Sequence, residues 1–125
     1  MTSLTAWHER FTAEIERAQA ARAQGNEGMA RVCSRRAVGI VIGEYLSRRD
    51  LPVNSASAYE RMKLLTNLPD LPPQVRQVTA HFMQHVTPDH TLPVEADLIA
   101  EAGWLAGQLL GSATPGLNRA EIQNP

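Results

Sequence analysis

Apolar positions recur along this chain at helical spacing, in five stretches divided by glycine, proline and turn-forming residues. In residues 4–24, Leu4, Trp7, Phe11, Ile15 and Ala18 fall within about 60° of one another around a helix axis, with Glu9, Arg10, Glu16 and Arg17 on the outer side. Gly25 suits the end of that helix and Asn26 the start of the next, and so short a joint predicts an antiparallel hairpin. The second stretch, NEGMARVCSRRAVGIVIGEYLSRR over residues 26–49, is the one the rest is arranged around. Met29, Val32, Cys33, Ile40 and Gly43 form one stripe with Arg36 inside it, and Val38, Val41, Ile42 and Tyr45 cover the remaining directions. A helix apolar on every side is buried on every side, which predicts a central helix whose second half also meets a second subunit. Gly39 and Gly43, four apart, would admit another backbone closely, although a mid-helix glycine costs roughly 1 kcal/mol relative to alanine.

The segment DLPVNSAS breaks the pattern, and Ser57 with Glu60 reads as a capping box opening a short third helix, 58–67, that buries Met62 and Leu65. After Pro69, Asp70 and Pro72, a fourth helix starts near Pro73 and ends before Thr87-Pro88, with Val75, Val78, Phe82 and Val86 inward. The loop TPDHTLP leads to a fifth helix, 93–110, burying Val94, Leu98, Ala102, Leu105 and Leu109 beside a flank of Asp97, Glu101, Trp104 and Gln108. The expected fold is all-α: a five-helix antiparallel bundle, four helices up and down plus a short one, over residues 1–111. Residues 112–125, rich in Gly, Pro and Asn, read as a flexible C-terminal tail.

Composition changes this picture little. With 125 residues, 43% hydrophobic and 20% charged, one domain with one core is expected. A net charge of −1 gives no global attraction to nucleic acid, so phosphate binding would need a local patch, for which Arg31, Arg35, Arg36, Arg48 and Arg49 are candidates. The one cysteine, Cys33, excludes an internal disulfide and reads as a small core residue. No apolar run approaches the length of a membrane span, and the N-terminus lacks a secretory pattern, so the expected location is cytoplasmic.

Candidate chemistry concentrates on the fourth helix. Arg76 and His81 lie there about 140° apart, so a single subunit does not bring them together. His81 and His85 share a face and, with Asp89 or His90, have the residue types of a metal site. They lack the intervening glutamate of a zincin motif, and no metal or cofactor is expected. Arg36, within an apolar stripe, requires a carboxylate partner such as Glu14, Asp97 or Glu101. Trp104 beside Asp97 and Glu101 either stacks on a nucleotide or packs at the core edge.

Two long helices joined at GNEGMAR, a short third helix, Arg76 and His81 separated by four residues on the fourth, a Thr-Pro-Asp loop and a final alanine-bearing helix together resemble the HEPN domains, over roughly residues 4–110. Many members carry Arg-Tyr-Pro-Asp before the last helix; here Val86-Thr87-Pro88-Asp89 keeps Pro-Asp without the arginine and tyrosine. Either Asn26 or Ser34 would correspond to the polar residue that catalytic members carry on the second helix. The resemblance implies one of two functions. One is a nucleotide- or RNA-associated binding domain, dimeric, that docks a partner such as a nucleotidyltransferase, with Arg36, Trp104, Asp97, Glu101 and Asp89 as ligand-binding candidates. The other is a toxin-like, metal-independent endoribonuclease of the kind found in toxin–antitoxin pairs. There Arg76 would hold phosphate and His81 would move protons across a homodimer cleft. A structural helical bundle without ligand is the remaining alternative.

Overall fold

The computed structural model describes residues 3–51, 53, 55–84 and 97–111, with residues 3–5 by backbone alone. Five α-helices occur among them: α1 (Ser3–Ala23), α2 (Glu27–Arg48), α3 (Ala58–Thr66), α4 (Pro73–Met83) and α5 (Leu98–Leu110). The described structure is all-helical, and no helix in it is long and apolar enough to cross a membrane. Val86, the loop with Asp89, Val94 and the tail 112–125 lie outside the described residues.

The hairpin of α1 and α2 is set by its joint. Gly25 adopts φ 81°, a left-handed conformation open to glycine. There its N–H donates to Arg22 O at 2.9 Å and the Asn26 N–H to Ala21 O at 2.8 Å, a paired closure of the α1 C-terminus. Asn26 then opens α2, its Oδ1 accepting from the Met29 N–H at 3.0 Å. One residue thus ends one helix and starts the next. The capping box of α3 is half made: Ser57 Oγ accepts from Glu60 N–H at 3.3 Å, while the Ser57 N–H donates to Ser55 Oγ instead of Glu60. Asp97 caps α5, accepting from Ala100 N–H at 3.3 Å.

α2 is central, packing against α1, α5 and α3, while α4 packs on α5 and α3. The core joins Trp7 and Phe11 of α1 to Ala37, Val38, Val41, Ile42 and Leu46 of α2, Met62 and Leu65 of α3, Val75 and Phe82 of α4, and Leu98, Ala102, Leu105 and Ala106 of α5. A smaller cluster, Ala18, Ala21, Ala30 and Cys33 with Ile99 against it, fills the hairpin end.

The buried side of α2 differs from the expected stripe. Met29, Val32 and Arg36 are exposed and Ile40 and Gly43 half-buried, whereas Ala30, Ser34, Ala37, Val38 and Val41 face inward. The inward residues are smaller, and that lets α1 and α5 come close over alanines of their own, Ala18, Ala21, Ala102 and Ala106. Only Cys33 of the stripe is buried. On α4 the inward set likewise takes in Thr79, whose hydroxyl donates to Val75 O at 2.7 Å, while Val78 is half-buried. In the second half of α2, Val38, Val41, Ile42 and Leu46 are buried against the chain's own helices, while Ile40 and Tyr45 are half-buried.

The close approach expected at the α2 glycines does occur. A methyl group on Gly39 would lie 2.8 Å from Ala58 Cβ, so the start of α3 rests on the α2 backbone there. Over Gly43 lies the Arg61 guanidinium, its Cζ 2.8 Å from where a Cβ would stand.

Candidate functional site

The arginines of this protein are distributed by what the helix ends require. The last turn of a helix leaves carbonyls without N–H partners and carries a partial negative charge. At the end of α3, Arg76 of α4 donates through Nη1 to Thr66 O and through Nη2 to Leu68 O at 3.1 Å. At the end of α4, Arg35 of α2 donates to Phe82 O at 3.0 Å and Gln84 O at 3.2 Å. Burial, followed by the charge of Arg31, pushes the Arg35 guanidinium below its ordinary value. Arg61 ties α3 to α2, donating to Gly39 O and to Ser55 O, each at 2.9 Å. Desolvation there, and then the charge of Arg10, lowers its pKa in the same direction.

These uses break up the arginine patch expected on α2. Arg31 is buried, Arg35 serves the end of α4, Arg48 pairs with Glu44 at 3.0 Å, and Arg49 stacks 4.7 Å from the Tyr45 ring centre. Arg36, Arg48 and Arg49 are exposed, and Arg36 needs no buried partner because it is not buried. The three carboxylates expected to meet it are engaged elsewhere: Glu14 with Arg17 at 3.0 Å, Asp97 with Arg22 at 3.0 Å and Glu101 with His81 at 2.8 Å. The expected buried ion pair of Arg36 is therefore absent, because the helix rolls its small residues inward and carries this cation to solvent.

Arg76 and His81 are likewise kept to separate tasks within the chain. The guanidinium of Arg76 reaches back to α3, and His81 Nδ1 faces Glu101 Oε1 on α5, with the two side chains about a fifth exposed. Glu101 orients the imidazole, which is the arrangement of a proton-moving pair, and it also ties the end of α4 to the start of α5. Trp104 is half-buried and packed against the main core, and Arg36 lies on the side of α2 turned away from α5. The candidate set Arg36, Trp104, Asp97 and Glu101 thus does not converge on one cleft. Asp89, His85 and His90 are outside the described residues, and among those described no group of three or more His, Cys, Asp or Glu side chains is placed to hold a metal ion.

A junction that the sequence reading did not single out lies at the hairpin end. Arg22 donates to Glu27 Oε2 at 2.7 Å and to Asp97 Oδ1 at 3.0 Å, joining α1, α2 and α5. Its pKa is raised, first by Glu27 and then by Asp97. Glu27 is lowered chiefly by the Arg22 hydrogen bond. For Asp97, burial works upward, but the hydrogen bonds from Arg22 and Ala100 leave the carboxyl below its ordinary value. The signal was present in outline, an arginine in the last turn of α1 and a glutamate in the first turn of α2. Cys33 sits beside Glu14, and burial, then that carboxylate, pushes the thiol up, away from the thiolate a nucleophile needs.

One face does gather cations. Arg10 and Arg17 of α1 and Arg36 of α2 are all exposed on the hairpin. No protein-family model matches the chain, and no curated protein or solved structure matches it either.

Proposed function

We propose that the chain is a binding and partner-docking domain without chemistry of its own, HEPN-like in its antiparallel bundle layout. On this reading it is nucleotide- or RNA-associated, as that resemblance implies, and works as a homodimer or beside a nucleotidyltransferase-like partner. The observation that carries this reading is the engagement of Arg76. A phosphate-holding arginine must offer its two-pronged donor edge to the ligand, whereas here Nη1 and Nη2 serve Thr66 O and Leu68 O. Outward-facing arginines stand instead on the hairpin, at Arg10, Arg17 and Arg36.

The endoribonuclease alternative draws support from one contact, the 2.8 Å pairing of His81 with Glu101, since a carboxylate-oriented imidazole suits proton transfer near neutral pH. The two readings separate in a single assay: purified protein, mixed single-stranded RNA and excess chelator, with Arg76→Ala and His81→Ala beside the parent. No cleavage by folded protein is expected. Cleavage leaving cyclic-phosphate ends, abolished by His81→Ala, would overturn the docking reading.

A further inference from the structure

The outward side of α2 is covered over one part of its length and open over the other. Gly39 and Gly43 lie beneath Ala58 and Arg61 of α3. Toward the N-terminus, Met29 keeps 44% of its surface, Val32 37% and Arg36 is exposed, and Ile40, half-buried, lies at the border with the covered part. These four recur at intervals of three and four residues along one line of the helix, the spacing at which a second helix is received. Two neighbouring large apolar side chains on an otherwise charged surface mark an interaction site better than scattered ones do.

The surrounding charge is one-sided. Arg36 of α2 and Arg10 of α1 are exposed on the hairpin. Glu14, the acid on this side of α1, is mostly buried and already paired with Arg17. Glu9 and Glu16 are rotated roughly 80–120° around α1 from Arg10 and Arg17. An apolar line bordered by cations complements an apolar line bordered by carboxylates.

Resting on the partner-docking reading, we infer that this face receives an acidic amphipathic helix of a protein partner. Aliphatic side chains of that helix lie along Met29, Val32 and Ile40, and its Asp or Glu residues face Arg36 and Arg10. Nucleic acid suits the line less well, because Met29, Val32, Arg36 and Ile40 include no aromatic ring for base stacking. A second copy docked by the same face would bring its arginines against these.

The test uses the full chain and a fluorescein-labelled synthetic Leu/Glu amphipathic peptide of about 18 residues, long enough to cover the open line at about 1.5 Å per residue. Controls are the matching Leu/Lys peptide and a labelled oligoadenylate RNA. Anisotropy is read with parent, Arg36→Glu and Val32→Asp proteins, each checked for helicity. The Leu/Glu peptide is expected to bind the parent, to weaken about tenfold in either variant and with added salt, and to exceed the Leu/Lys peptide. Absence of binding, or equal binding to the variants, overturns the inference. RNA binding that needs Arg36 and exceeds peptide binding overturns the helix occupant but leaves a nucleic-acid-associated binding domain standing. RNA cleavage removes that domain reading as well. A dimer that Val32→Asp dissociates would make the face a contact between copies and overturn the inference too.

Discussion

Gly39 and Gly103 are both interior helix glycines, and their surroundings give the same substitution opposite signs. A methyl on Gly39 would meet Ala58 at 2.8 Å from Cβ and 3.1 Å from Cα, atoms fixed to the α3 backbone, so the helix itself must move. Gly39→Ala is expected to lower stability by about 1–3 kcal/mol, the range for overpacking. Nothing lies within 4 Å of a methyl on Gly103, and Gly103→Ala should raise stability by up to about 1 kcal/mol through helix propensity. Urea midpoints moving in opposite directions would confirm the contact; a rise for Gly39→Ala would refute it. Arg76 offers a second check at this scale. Arg76→Ala strips donors from two carbonyls at the end of α3, for an expected loss of about 1–3 kcal/mol. Arg76→Lys should recover only part of that, since an ammonium lacks the fork. An unchanged thermal midpoint for Arg76→Ala would release the residue from this role and return it to the candidate site.

Between elements, the Arg22 junction predicts how stability responds to acid. Glu27 and Asp97 have folded pKa values below their ordinary ones. Their stabilising contribution is therefore complete above the unfolded carboxylate values, about 4, and is lost as pH falls through the folded values. The raised Arg22 pKa acts with the opposite sign, its contribution lost only in strong alkali. All three side chains are more than a third exposed, so solvent screening holds each pair to less than about 1 kcal/mol. Arg22→Ala should destabilise the protein modestly at pH 6, and the gap from the parent should narrow toward pH 3 and shrink in high salt. A gap of the same size at both pH values would mean that Arg22 acts through packing rather than charge.

For the molecule as a whole, the question is which surface of the central helix belongs to its own chain. Val41 is buried without exposure, whereas Val32 stands outside. Val41→Asp places a carboxylate in the core and is expected to prevent cooperative folding, because an unpaired buried charge costs several kcal/mol. Val32→Asp should leave the circular dichroism spectrum and thermal midpoint close to those of the parent. Similar unfolding by both substitutions would mean that the outward line is covered in solution. The number and order of the described helices, and their boundaries at Gly25, Asn26, Ser57 and Pro73, were legible in the sequence because those residues act through local backbone chemistry that needs no distant partner; the start of α5, expected near residue 93, is at Leu98, where Asp97 caps it. So was the close approach at Gly39, since a missing side chain permits it whatever arrives. The roll of α2 was not legible: its second half is apolar in most directions, and burial of the alanine line over the Met29–Val32–Ile40 line follows from how closely α1 and α5 can approach it. The tasks of Arg22, Arg35, Arg61 and Arg76 were decided at that same level. A guanidinium reaches several ångströms in any direction from its helix, and only the folded chain sets which carbonyl or carboxylate waits there.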